Sequence, residues 1–168
     1  RLRFIEGQLY SSIGLKDSAN LAFDKVIALK RKTPRVYTIS AHLEKVKNFD
    51  FESDDKLALE ILLESLESNR ENRPFLDKIY HHIANYHIKN NKDSLAIAYY
   101  NKSLRTDSKD THLTALNYQK LAELNFDYSE YSLAGSYYDS TLLNLKEKSK
   151  TFRVIKRKRD NLEEVIFY

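Results

Sequence analysis

Two ten-residue strings in this chain align without a gap. LAIAYYNKSL (95–104) and LAGSYYDSTL (133–142) share Leu, Ala, a Tyr-Tyr pair and a later Leu at an offset of 38 residues. A fixed internal period constrains a fold strongly, because one supersecondary unit must then serve at every copy. Stepping back another 38 reaches LALEILLESL (57–66), and 39 more reaches SANLAFDKVI (18–27), so Ala19, Ala58, Ala96 and Ala134 form one expected series. Four copies follow. Each is preceded by a second amphipathic segment, clearest in IYHHIANYHIKNN (79–91) and NYQKLAELNFDYS (117–129). There Tyr80, Ile83 and Ala84 correspond to Tyr118, Leu121 and Ala122, and in the first copy Gly7, Tyr10, Gly14, Ala19 and Phe23 take the equivalent places.

The repeated unit is a helix pair. Three glycines and two prolines among 168 residues are too few breakers for a strand-and-turn protein, so the fold class is all-α. Helices are predicted over 2–14, 17–31, 34–48, 54–69, 73–90, 92–106, 110–127, 130–147 and 150–166. The small residues let paired helices approach closely while tyrosines and leucines fill the gaps. Asp17, Ser18, Asp93 and Ser94 read as caps of second helices. The second copy fits worst: Ala41 sits 17 residues before Ala58 where the other copies have twelve, which predicts an inserted connection around 48–53. A chain this long suits one domain folding without metals or disulfides, with repeats at 1–31, 34–69, 73–106 and 110–147 and a terminal helix at 150–166. Opening in mid-pattern at RLRFIEGQLY without methionine, it is expected to be a segment of a longer protein.

Few chemistries are available to it. There is no cysteine, no glycine-rich phosphate loop and no Gly-x-Ser-x-Gly elbow. His81, His82 and His87 lack the i, i+4 spacing of helical zinc ligands, and Ser140 and Thr141 are expected to bond carbonyls one turn back. No catalytic residue, metal or cofactor is expected. The acid pairs Asp54/Asp55 and Glu163/Glu164 point in different directions on a helix. Lys146, Lys148, Lys150, Arg153 and 156–159 form a local basic cluster in a chain of net charge +4. It lacks the interleaved aromatics of a nucleic-acid surface, so nucleic acid is not expected, and the cluster reads either as a solvated face of the last helix or as a surface for an acidic protein or peptide. No apolar run approaches the roughly 18 residues needed to cross a bilayer, so this segment is not expected to insert into a membrane.

A large aromatic, an aliphatic and small pair, a small residue twelve positions on and an aromatic four later together resemble the tetratricopeptide repeat. The resemblance implies a helical solenoid of about four helix-turn-helix repeats with a C-terminal capping helix. In such proteins the first helices line an inner groove, and peptide-binding residues surround each first-helix aromatic. The transferred offsets select Lys78, His81, Asn85 and Lys89 in the third copy, Gln119 and Lys120 in the fourth, and Arg153 and Arg157 on the last helix. That groove would be polar and basic, although Glu123 and Asp127 break the pattern of a carboxylate clamp.

A narrower resemblance covers most of the chain. The runs FLDKIYHHIANYHIKNNKDSLAIAYYNKSL, YQKLAELNFDYSEYSLAGSYYDSTL and FRVIKRKRDNLEEVI resemble the SprE/PorW family of tetratricopeptide lipoproteins in the Bacteroidota type IX secretion and gliding motility machinery. This implies a non-enzymatic scaffold for protein transport. Its parent would be lipid-anchored outside this segment and periplasmic, linking the outer-membrane translocon to the periplasmic ring or motor. The family's Asp-Ser/Thr-apolar glycosylation pattern makes Ser18, Ser94 and Ser140 candidate O-glycosylation sites. The alternative is a tetratricopeptide sensor or adaptor region of a bacterial signalling protein, in the cytoplasm.

Overall fold

The computed structural model describes residues 1–167. Among them lie nine α-helices and no strand: α1 (Leu2–Ser12), α2 (Lys16–Ala28), α3 (Arg35–Asn48), α4 (Lys56–Ser68), α5 (Leu76–Lys89), α6 (Asp93–Leu104), α7 (Thr111–Asp127), α8 (Tyr131–Leu143) and α9 (Lys150–Ile166). Two 3-10 turns, Lys30–Lys32 and Arg70–Phe75, precede α3 and α5. The architecture is all-α with helices packed pairwise, as expected. The chain gathers into two compact units, Arg1–His82 and the residues from Ile83 onward.

Three helix pairs turn in the same way. At the ends of α1, α5 and α7 one residue adopts a left-handed backbone: Gly14 (φ 81°), Asn91 (φ 56°) and Ser129 (φ 62°). The following amide then donates back across the turn: Leu15 to the Tyr10 carbonyl, Lys92 to His87 and Glu130 to Asn125, each at 2.9 Å. This is the paired-bond closure that satisfies orphaned carbonyls at a helix end. It leaves no room for the expected caps: Asp17, Ser18, Asp93 and Ser94 lie inside the first turns of α2 and α6, whose N-cap positions are Leu15 and Lys92 without a side-chain bond. Side-chain caps occur where the connection is longer. Asp55 accepts from the Ala58 amide, Asp110 from Leu113 and Ser149 from Phe152, each at 3.1 Å.

The cores repeat with the turns. In the first unit Ala19, Phe23, Val26 and Ala41 are buried together against Phe4 and Tyr37. The second unit holds two such clusters. One is built on Ala84, Ala96, Tyr100 and Leu121, the other on Ala122, Ala134, Tyr138, Ile155 and Leu162. Each sets a small residue of a first helix against an aromatic one turn past the small residue of a second helix. A Cβ added at Gly7 would lie 2.5 Å from the Phe23 ring, so contact at that position requires glycine.

The second copy corrects the expected alanine series. Ala58 is exposed, and the buried positions of α4 are Leu59, Leu63 and Leu66. Counted from the helix start, Leu59 holds the place of Ala19, Ala96 and Ala134, the fourth residue of its helix. The irregular connection after α3, where the Asp50 carboxylate accepts from the Glu52 amide and the Ser53 hydroxyl, shifts the register by one.

A polar group also holds the first unit together. Asn72, 1% exposed, donates to the Leu66 carbonyl (2.9 Å) and accepts from Arg35 Nε (2.8 Å). Arg35 Nη1 in turn lies 2.8 Å from the Glu71 carboxylate. The end of α4, the following turn and the start of α3 thus share one buried amide.

Two stability outcomes follow. Ala58→Leu is expected to change unfolding free energy by no more than about 0.5 kcal/mol, whereas Ala96→Leu overpacks a closed contact and loses about 1–3 kcal/mol; urea denaturation of both variants checks the register. Asn72→Leu strands the Leu66 carbonyl and the Arg35 Nε–H, so about 2–3 kcal/mol is expected to go, again by urea denaturation.

Candidate functional site

The last helix builds the site. Phe152, Ile155, Arg159, Leu162 and Ile166 recur every three or four residues and form the inward stripe of α9, with Ile155 and Leu162 fully buried. Gly135 of α8 faces this stripe closely, an added Cβ standing 3.3 Å from Ile166 Cδ1. Arg159 is tolerated in this stripe because its Nε donates to Asp139 Oδ1 at 2.8 Å. That ion pair accounts for Asp139, which the repeat alone does not require.

With the stripe turned inward, Lys158, Asn161 and Val165 face α7 across a cleft of about 420 Å3. Tyr138 and Leu162, 4% and 3% exposed, form its floor, and the α7 side is Glu123, Phe126 and Asp127. Phe126 and Val165 remain close to half exposed at the mouth. Glu123 is shared: Lys120 Nζ and Lys158 Nζ each lie 3.6 Å from its carboxylate, and Gln119 Nε2 donates to it at 3.0 Å. Asp127 has no ion pair among the described residues. Its charge is felt at the floor, since burial first, then Glu123 and Asp127, push the Tyr138 phenol above its ordinary value. Burial and Glu123 raise Tyr100 in the same way, and its hydroxyl donates to Asn85 Oδ1.

The chain matches no model of a known protein family and no curated protein.

The expected groove residues fall into three groups. Lys78, His81, Asn85 and Lys89 all lie on α5, where His81 is 6% exposed, an interior imidazole against the His82 ring edge. Asn85 is tied to Tyr100, and Lys89 is exposed. Gln119 and Lys120 lie on α7 beside the cleft and are committed to Glu123. Arg153 reaches back to the Lys148 carbonyl at 3.3 Å, while Arg157 is exposed with no ion pair among the described residues. Neither arginine lines the cleft.

The remaining candidates are placed as follows. Ser94 is exposed; Ser18 is half-buried, and Ser140 is half-buried with its hydroxyl donating to the Ser136 carbonyl at 3.2 Å. Thr141, fully buried, does the same to Tyr137 at 2.8 Å. His87 stacks on Tyr99 with centroids 5.5 Å apart. Among the described residues no group of three or more His, Asp or Glu gathers in a metal-holding arrangement. Phe126, Asn161 and Val165 were not expected at a site; the signal that could have found them is the spacing of the α9 stripe, which fixes the flank turned towards α7.

The cleft therefore offers an apolar floor beneath an acidic rim. Removing the Glu123 charge should release the phenols: Glu123→Gln is expected to lower the ionisation midpoints of both Tyr100 and Tyr138 in a spectrophotometric pH titration. Both midpoints are held above 10.0 in the folded chain, so the stability they contribute is full below that pH and is lost as pH rises through the folded values.

Proposed function

We propose that this chain is a non-catalytic, tetratricopeptide-like scaffold that binds protein partners, and that it serves as a periplasmic component of the type IX secretion and gliding machinery. The observation that carries the binding reading is the α7–α9 cleft, in which Phe126 and Val165 stay near half exposed above the buried Tyr138 and Leu162. Apolar pockets with a few charged groups at the mouth are where proteins take up partner side chains. The acidic rim selects further: an aliphatic or aromatic anchor flanked by Lys or Arg would fill the floor and meet Asp127. The support for the secretion assignment is the family-like strings in LDKIY, LAELNFD and YYDS. The chain would link the outer-membrane translocon to the periplasmic ring or motor, within a longer lipid-anchored parent. That no helix among the described residues is long and apolar enough to cross a membrane fits a segment that does not itself insert.

The test is a pull-down from the periplasm of a gliding bacterium with the tagged chain and with a Phe126→Asp/Val165→Asp variant. The parent chain is expected to recover translocon or ring components, and the variant at least about tenfold less, as expected for losing an interface anchor. Recovery of no such component sinks the secretion assignment. Equal recovery by the variant sinks the cleft as the binding surface, and recovery of a signalling kinase in their place favours the adaptor alternative.

A further inference from the structure

The first unit carries a second cleft of opposite chemistry. It opens where α2 passes through the Lys30–Lys32 turn into α3, and encloses about 510 Å3. Its charged lining is Lys30, Arg31 and Arg35 against the single carboxylate of Glu71, with His42 and the Thr33 and Thr38 hydroxyls beside them and Ile27 as an apolar wall. We infer that this cleft binds an acidic peptide segment, its carboxylates meeting Lys30, Arg31 and Arg35 and an apolar side chain resting on Ile27.

Three observations support this. First, Arg35 is pre-positioned. Its Nε is fixed to Asn72 Oδ1 at 2.8 Å, and Asn72 is itself buried and anchored to the Leu66 carbonyl, so the guanidinium cannot swing away. Two of its five donors are used by Asn72 and Glu71, which leaves others for an incoming oxyanion. Second, Lys30 and Arg31 are exposed and form no ion pair among the described residues, so their charge is not already neutralised. Lys30 holds a left-handed backbone (φ 48°) that starts the turn. Third, the cleft lining carries three cations, Lys30, Arg31 and Arg35, against the one carboxylate of Glu71. The half-buried His42 imidazole is pushed below its ordinary value by burial first and then by Lys45, with Arg35 adding to this and Asp24 opposing it. Of these charges Arg35 lines the cleft, and an anion entering it would offset that contribution.

The size and lining decide the class of ligand. A space of this volume lies within the roughly 300–1,000 Å3 typical of ligand sites, and one tetrahedral anion would leave most of it empty. No Phe, Tyr or Trp lines it for a base to stack on, and its one ring is the half-buried His42 imidazole, which disfavours nucleic acid. None of the candidate groove residues lines this cleft, and the inference does not depend on the secretion assignment.

The test is fluorescence anisotropy of a labelled peptide with two Asp/Glu pairs around a central leucine, titrated with the purified chain. Saturable binding is expected, weakened at least about tenfold in Lys30→Glu/Arg31→Glu, whose exposed positions leave the fold intact by circular dichroism, and unchanged in Lys158→Glu at the other cleft. Binding of the Asn/Gln version of the peptide with equal affinity would overturn the inference. So would an unaffected double charge-reversal variant, a loss in Lys158→Glu, competition by inorganic phosphate as strong as by unlabelled peptide, or tighter binding of a single-stranded oligonucleotide.

Discussion

The contact on which this structure rests is an aromatic ring pressed onto a residue too small to hold two helices apart. Phe23 lies where Gly7 has no side chain, and Tyr100 and Tyr138 share their clusters with Ala84 and Ala122. Helix pairs joined this closely need a turn short enough not to splay them. The left-handed residues at 14, 91 and 129 supply it, because the backbone closes its own hydrogen bonds in three residues. Tight turn and small residue are therefore one device repeated three times. Where the turn is replaced by the longer connection after α3, the alanine is replaced as well, and Leu59 and Leu63 fill the interior.

Much of this was legible because the period is carried by buried residues. Ala96 and Ala134, with Tyr100 and Tyr138, recur at identical offsets, and each is buried as that recurrence requires. The caps were misread for a physical reason: the tight turn starts the next helix at Lys16 and at Asp93, so the cap positions fall on Leu15 and Lys92 and the aspartate and serine lie one to three residues past them. Ala58 was misplaced because an alignment on residue type counts straight through an irregular loop. Register is set instead by the helix start, which Asp55 fixes by capping at Ala58.

The site was less legible, since it depends on which flank of one helix faces another. The family offsets brought Gln119 and Lys120 to the edge of the α7–α9 cleft, but both are tied to Glu123. Phe126 and Val165 become site residues only once the inward stripe of α9 is known to run through Arg159. A charged residue in an otherwise apolar stripe masks the pattern, and only its partner on the neighbouring helix, Asp139, makes the position readable. Gly135, which carried no reading in the sequence, marks a close approach of α8 to α9.

The two clefts show why a net charge of +4 says little about binding in this chain. In one, Glu123 and Asp127 line the rim and add to the effect of burial on the Tyr138 phenol; in the other, Lys30, Arg31 and Arg35 line the wall, and Arg35 adds to the effect of burial on the His42 imidazole. Charge summed along the sequence cancels these groups against one another, yet each acts over only a few ångströms and is strengthened by the apolar surface beside it. The exposed cationic run of α9, by contrast, is partly consumed by structure: Lys156, Lys158 and Arg159 each face a carboxylate. A cation already paired has less to offer a partner than one held ready beside a hollow. The short Lys30–Lys32 turn is for that reason the more selective surface, although the basic cluster of the last helix is the more conspicuous in the sequence.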